Sequence, residues 1–136
     1  MLFNTGQMQE LTGLKREQFR HWRKVLPQLQ GRDGRSEQYS FSDVLALCVL
    51  RTMVHDLGVN VSNLIASAQD IFALFADSEI GALPDWLFIS DDGTVGSALP
   101  THAKAYMAVN LGQLLAEARD RLAPNVRRQL QLPLET

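Results

Sequence analysis

Residues 11–24 read LTGLKREQFRHWRK, and they place a glycine turn directly before a strongly basic segment. The ten residues 15–24 contain six basic or imidazole side chains around Phe19 and Trp22. These two aromatic residues are three apart, so both fall on one face of a helix and leave the charged side chains on the other. Such a helix is typical either of a solvated surface or of a surface that lies against phosphates.

The residues on either side of this segment predict a pair of short helices. One helix is expected from a cap at Asn4 or Thr5 to about Thr12, since the side-chain oxygen of either residue can accept a hydrogen bond from the first free amides. Gly13 tolerates a positive φ and so permits a tight turn. The basic helix is expected from about Lys15, and Pro27 ends it. Two short helices joined by a glycine-containing turn make a helix-turn-helix.

Two further helices complete the first half of the chain. After a loop at residues 31–39, the pair Ser40 and Asp43 forms a capping-box pattern that begins a mostly apolar helix reaching to about Leu57. Asn60 is expected to cap the next helix, which spans residues 61–76 and carries one apolar stripe at helical spacing.

The helical pattern ends near residue 77 and a linker-like stretch, GALPDW at residues 81–86, follows it. We therefore divide the chain into residues 1–76 and a small α+β region, residues 77–136. Trp86–Ser90 reads as a strand, and residues 91–94 read as a turn with an Asp-Gly signal. Two segments, 94–99 and 105–109, are both candidates for the partner strand. A last helix of about a dozen residues is expected from a cap at Asn110 until Pro124, with an extended or frayed tail after it.

Charge is unevenly distributed along the 136 residues, whose formal net charge is −2. Residues 1–40 hold seven basic and four acidic side chains, so the remaining residues carry a net charge of −5. A basic segment on an acidic body is the layout of a local anion-binding face. Apolar residues make up 46% of the chain, enough for a packed core. Neither a membrane span nor a signal peptide is indicated, so we expect a cytoplasmic protein.

The patterns of common catalytic and metal sites are missing from the sequence. The single cysteine, Cys48, lies in an apolar run and is expected to be a buried small residue. The histidines His21, His55 and His102 lack metal-ligand spacing, and residues 91–93 indicate a turn more than a calcium loop. Without a phosphate-cradling glycine loop, we expect no cofactor, no metal and no enzymatic activity.

Four short motifs in residues 1–76 resemble the DNA-binding domain of MerR-type transcriptional regulators. They are LTGL with FRHW in the first two helices, Leu26-Pro27 after the second helix, YSFSDV at residues 39–44, and LGVNV at residues 57–61. The resemblance implies a mostly α fold, namely a winged helix-turn-helix followed by a small α+β region with a strand hairpin and one helix. It also implies a homodimer that regulates transcription by reading a two-fold site on double-stranded DNA.

The resemblance places the second helix in the major groove and makes the loop at residues 31–39 the wing. On this basis the start of the helix reaches base edges, Arg20 touches phosphate or a base, His21 faces the backbone, and the wing lies near phosphates. Arginine can bond guanine at two acceptors, and glutamine can do so with adenine. The implied DNA-binding residues are Lys15, Arg16, Glu17, Gln18, Arg20, His21, Arg23, Lys24, Arg32, Arg35 and Tyr39.

The sequence departs from the family pattern at two places. Glu37 stands where the wing usually carries an arginine, and the region after residue 76 lacks the long pairing helix and effector domain of typical members. Two other functions therefore stay open. The winged fold could bind a protein, as an adaptor in phage assembly or chromosome organisation, or the chain could sense a small molecule in a pocket lined by Trp86, Phe88 and Tyr106. We expect residues 77–136 to serve dimerisation more than sensing, and strand Trp86–Ser90 is a candidate dimer edge or only part of a small-domain core.

Overall fold

The computed structural model describes residues 2–31 and 38–134, with the backbone alone for residue 80 and residues 123–134. This part of the chain is mostly helical with small antiparallel sheets, which confirms the expected mostly α architecture with an α+β second half. The helices are α1 (Thr5–Thr12), α2 (Arg16–Val25), α3 (Phe41–His55), α4 (Ile65–Asp77) and α5 (Leu111–Leu134). The strands are β1 (Leu2–Phe3), β2 (Tyr39–Ser40), β3 (Trp86–Ser90), β4 (Val95–Gly96) and β5 (Tyr106–Asn110).

Side-chain caps fix the beginnings of α1 and α3. Asn4 accepts a hydrogen bond from the amide of Gln7 at 2.9 Å, and the side chain of Gln7 accepts one from the amide of Asn4 at 3.0 Å. Ser40 and Asp43 form the same reciprocal pair at 3.2 and 3.0 Å, as the sequence predicts. Each box satisfies two amides that a helix start would otherwise leave unbonded.

The predicted turn between α1 and α2 is present and depends on Gly13. This residue has a φ of 77°, in the left-handed region that glycine adopts most easily. Its amide donates to the carbonyl of Gln9 at 2.9 Å, which ends α1. At the far end of α2, the amide of Leu26 donates to the carbonyl of Trp22, and Pro27 then begins a 3-10 turn.

Both candidate partner strands pair with β3. The three strands lie in the order β4-β3-β5, and all pairs are antiparallel. Because β3 is the central strand, the expectation that Trp86–Ser90 is a dimer edge is wrong. Alternate residues of a strand point to opposite faces, so Leu87 and Ile89 face the core while Trp86 and Phe88 face outward. The turn between β3 and β4 is anchored to α4, because the hydroxyl of Ser67 donates to the carbonyl of Gly93 at 3.1 Å.

Two expected helix boundaries are wrong. Asn60 makes no side-chain cap, because residues 61–64 first form a 3-10 turn and α4 begins only at Ile65. Helix α5 continues through Pro124 to Leu134. A proline removes one hydrogen bond from the helix ladder, and the arginine, glutamine and leucine residues around it have high helix propensity, which favours continuation.

A continuous core joins the two halves of the described chain. Buried residues of α1, α2, α3 and α4 pack together with Leu87 and Ile89 of β3 and with Leu111 and Ala118 of α5. The Nη1 atom of Arg121 in α5 also donates to the carbonyl of Leu11 in α1 at 3.1 Å. The position of α1 therefore depends on packing against α5. Across the described residues, the helices include none long and apolar enough to cross a membrane.

Candidate functional site

Helix α2 presents a row of basic side chains opposite its buried face. Arg16, Arg20 and Lys24 follow one another at four-residue spacing, which places them on one stripe of the helix, and all three are exposed. Phe19 and Trp22 point the other way and are almost fully buried. The exposed Lys15 and the half-buried Arg23 lie beside this stripe, four residues before and after Phe19. All five cations together form what we call the basic face of α2, namely Lys15, Arg16, Arg20, Arg23 and Lys24.

The N-terminus of α2 lies within this basic face. Lys15 occupies the cap position, and its side chain makes no capping hydrogen bond. The first amides of a helix are unbonded within the helix and carry a partial positive charge, so they add to the attraction for an anion. Glu17 and His21, both exposed, flank the stripe on the side away from Phe19.

Gln18 in the first turn of α2 is tied to the end of α3. Its side-chain amide nitrogen lies 2.7 Å from Nε2 of His55, the last residue of α3. In this contact the amide N–H of Gln18 donates to the imidazole nitrogen. No local pattern indicates this pairing, because His55 and Gln18 are far apart along the chain and their contact depends on how α2 packs.

The C-terminal end of the basic face opens into a groove. Arg20, Arg23 and Lys24 line it together with the 3-10 segment and Gly31, and its volume is about 300 Å³. The side chain of Gln30 donates to the carbonyl of Lys24 at 3.2 Å, which holds this segment against the end of α2. Three cations on one side of an open groove suit an extended polyanion.

Tyr39 corrects one expectation about the site. Its side chain has no exposed surface, and its ring packs edge-on against Phe19 with the ring centres 5.8 Å apart. A phosphate contact needs an exposed hydroxyl, so the structure places Tyr39 in the support of α2 and not on the binding surface. The other expected wing residues, Arg32 and Arg35, and the departure at Glu37 lie outside the described residues.

The outer face of the three-stranded sheet carries exposed aromatic side chains. Trp86 is 45% exposed and Tyr106 is 48% exposed, and Phe88 packs edge-on against Tyr106 at 5.8 Å. The strand register places all three on the same face of the sheet. They form an open surface, which we call the aromatic face, and this arrangement does not favour the alternative in which all three line a pocket.

The Asp-Gly turn between β3 and β4 is structural. The carboxylate of Asp92 accepts a hydrogen bond from the amide of Thr94 at 2.9 Å, and this bond holds the pKa of Asp92 below its ordinary value. Gly93 follows with a φ of 89°. Clusters of three or more His, Cys, Asp or Glu side chains that could hold a metal ion are not found among the described residues.

The chain matches no protein-family model and no curated protein.

Proposed function

We propose that this protein is a DNA-binding transcriptional regulator that reads a two-fold site as a homodimer. In this proposal α1 and α2 act as a helix-turn-helix, the segment between α2 and β2 acts as a wing of MerR type, and α2 enters the major groove. The function is binding and not catalysis, and it implies a cytoplasmic location. The observation that carries the proposal is the basic face of α2.

The chemistry of the basic face suits DNA better than it suits a small anion. Lys15, Arg16, Arg20, Arg23 and Lys24 run along the whole length of α2, which at about 1.5 Å per residue spans about 15 Å. Phosphates repeat along a DNA strand, so a long cationic row can neutralise several of them and release their counterions. A compact ligand would need these cations to converge on one point, and cations spread along the length of a helix do not.

A protein that distinguishes one DNA sequence from another needs contacts to base edges in addition to phosphates, and side chains in the first turn of α2 can make them. Arg16 can bond guanine at two acceptors, and the amide of Gln18 can bond adenine in the same manner. Each such pair is worth about 1–3 kcal/mol of discrimination between bases. Because one copy of α2 makes few contacts, two copies that bind together gain affinity through their effective concentration.

Selection from a random duplex library tests this proposal directly. The purified protein is incubated with the library at low and moderate salt, and the bound DNA is recovered and sequenced. An enriched inverted repeat, lost in Arg20→Ala and kept in Arg119→Ala, is the expected result. Arg119 is the matched control because it is an exposed arginine of α5, outside the basic face. Recovery of no sequence above background at either salt concentration would refute the proposal.

A second function is favoured by the aromatic face. Exposed aromatic patches of this kind are typical of protein interfaces, so an adaptor that binds another protein would also use one. The two functions differ in what they require of α2. An adaptor keeps its partner when Arg20 is replaced by alanine, whereas the regulator loses its DNA.

A further inference from the structure

A polar crevice lies between the two halves of the chain, away from the basic face of α2. Helix α1, helix α3 and the junction of β5 with α5 enclose a volume of about 170 Å³. Its floor contains the buried Thr12, Cys48 and Val109. The thiol on this floor is neutral, because burial raises the pKa of Cys48 to about 11. The floor therefore contributes no negative charge of its own at neutral pH.

Arg51 supplies a cation to this floor. Its Nε atom is buried and has no hydrogen-bond partner among the described residues. Its guanidinium rests against the turn before α2, since a Cβ atom built on Gly13 would lie 3.3 Å from the Cζ atom of Arg51. A buried guanidinium donor without an acceptor costs free energy, so an acceptor that enters the crevice gains by bonding it.

The rim of the crevice holds charges of both signs. Arg121 contributes a second guanidinium, while Asp56 and Glu117 contribute two carboxylates. Nη1 of Arg121 already donates a hydrogen bond to the carbonyl of Leu11. Among these described side chains no ion pair joins either carboxylate to Arg51 or Arg121, so the two signs of charge face the crevice without neutralising each other at close range.

We propose that this crevice binds a small zwitterion of the α-amino acid class. The ligand carboxylate bonds Arg51, where a planar guanidinium matches its two oxygens, and the ligand ammonium faces Glu117 and Asp56. Two cations and two anions in the lining favour a ligand with no net charge over a simple anion. A cavity of ~150 Å³ holds a six-carbon ring, so molecules of about six to ten heavy atoms fit this one.

The position of the crevice also gives it a route to the DNA-binding helix. Arg51 lies against the turn at Gly13, and this turn, with Thr12 before it, immediately precedes α2. Glu117, on the other side of the crevice, belongs to α5. A ligand held between Arg51 and Glu117 therefore links the start of α2 to the C-terminal helix. This regulatory consequence rests on the proposed DNA-binding function, whereas the binding of the ligand does not.

Binding is tested on the full chain without DNA. L-serine, L-valine, L-leucine and L-glutamine are each titrated by calorimetry and by thermal unfolding at concentrations up to about 10 mM. At least one is expected to bind and to raise the melting temperature. Analogues of that amino acid that lack one of its two charged groups are expected to bind roughly 10- to 100-fold more weakly. For L-valine these are 3-methylbutanoate, which lacks the ammonium group, and L-valinamide, which lacks the carboxylate.

Two variants locate the ligand. Arg51→Met and Glu117→Gln are each expected to weaken binding by roughly 10- to 100-fold, while Arg119→Ala leaves it unchanged. Glu117 is exposed, so its variant keeps the fold even where Arg51→Met does not. The proposal is overturned if no amino acid binds, if 3-methylbutanoate binds as well as L-valine, or if Glu117→Gln has no effect.

DNA affinity with and without the bound amino acid is a separate measurement. A ligand that binds the protein and shifts DNA affinity supports the coupling, and a ligand that binds without any shift refutes the coupling alone. A protein that binds an amino acid but selects no DNA sequence refutes the DNA-binding function and leaves the crevice proposal standing.

Discussion

The amide of Gln18 and the imidazole of His55 are 2.7 Å apart, so the first turn of α2 is held by the last turn of α3. This contact uses one N–H of the amide and leaves its carbonyl oxygen and second N–H for another partner. An adenine edge needs one donor and one acceptor of that kind. His55 thus orients a residue that we expect to read a base, although it is not expected to touch the base itself.

Replacing His55 should relax base discrimination more than it weakens binding. In His55→Ala the side chain of Gln18 gains rotamer freedom, and we expect adenine preference at one position of each half-site to fall by roughly 5- to 10-fold. Library selection with the variant measures this preference. His102→Ala is the control, because that exposed histidine lies in the segment before β5. An unchanged preference in His55→Ala would contradict the orienting role.

Replacing Arg20 should change the salt dependence of DNA binding. Each phosphate contact that is lost reduces the slope of log affinity against log salt by about 1, so Arg20→Ala in a dimer should reduce it by about 2. Titrations at several salt concentrations give the slope. Arg119→Ala should keep the wild-type slope, and a slope that does not change in Arg20→Ala would place this residue off the phosphates.

Tyr39 should matter for stability and not for DNA contact. Tyr39→Phe keeps the ring against Phe19, so we expect DNA affinity within about twofold of wild type and a loss of at most about 1 kcal/mol in the free energy of unfolding. Tyr39→Ala removes the ring and should cost about 3–5 kcal/mol. Urea unfolding and DNA titration of both variants test this. If Tyr39→Phe bound DNA more weakly at unchanged stability, the hydroxyl of Tyr39 would contact phosphate after all.

The aromatic face should be the contact surface of the dimer. The paired substitutions Trp86→Ser and Tyr106→Ser remove exposed apolar area, so we expect monomers at concentrations where the wild type is dimeric, with little change in melting temperature. Sedimentation velocity gives the mass, and circular dichroism checks the fold. Leu57→Ser is a control, because Leu57 is another exposed apolar residue but lies outside the sheet. If the double variant remained dimeric, the dimer interface would lie outside the aromatic face.

Cys48 should make the protein less stable in alkali. Burial raises the pKa of its thiol from the ordinary 9.0 to about 11, against the opposing effect of Arg121 and Arg51. Below pH 9 both folded and unfolded chains keep the proton. Between pH 9 and 11 the unfolded chain loses it first, so the free energy of unfolding falls, by roughly 3 kcal/mol in all.

Urea unfolding across this pH range, for wild type and Cys48→Ala, isolates the effect of the thiol. The variant starts less stable because it leaves a small cavity, but its curve should fall less steeply above pH 9. Parallel curves for the two proteins would show that the thiol titrates normally in the folded state.

Local patterns in the sequence predicted most of the helices and strands. Caps such as Ser40 with Asp43 depend on residues three apart, and the Gly13 turn depends on one residue, so both can be read from a short window. The end of α5 could not be predicted from a short window, because Pro124 is a strong local stop signal and the helix-forming residues on either side of it override that signal. The charges of the basic face were also visible locally, since a helical period alone places Arg16, Arg20 and Lys24 together.

Contacts between distant segments could not be predicted in this way. Tyr39 reads equally well as a surface or a buried residue until Phe19 is known to lie against it. The polar crevice needs Arg51 from α3 and Glu117 from α5, and no pattern in either helix indicates the other. The aromatic residues of β3 and β5 read as pocket residues only because the face they share was unknown.

The packing of α5 on α1 and α3 also constrains how such a chain can evolve. Recombination that joined the first 76 residues to a foreign tail would have to replace the apolar surface of Leu111 and Ala118 and the donor of Arg121 at once. A fusion at that boundary should therefore destabilise the fold. Single substitutions on the exposed stripe of α2 should disturb the fold less, because those side chains lie outside the core.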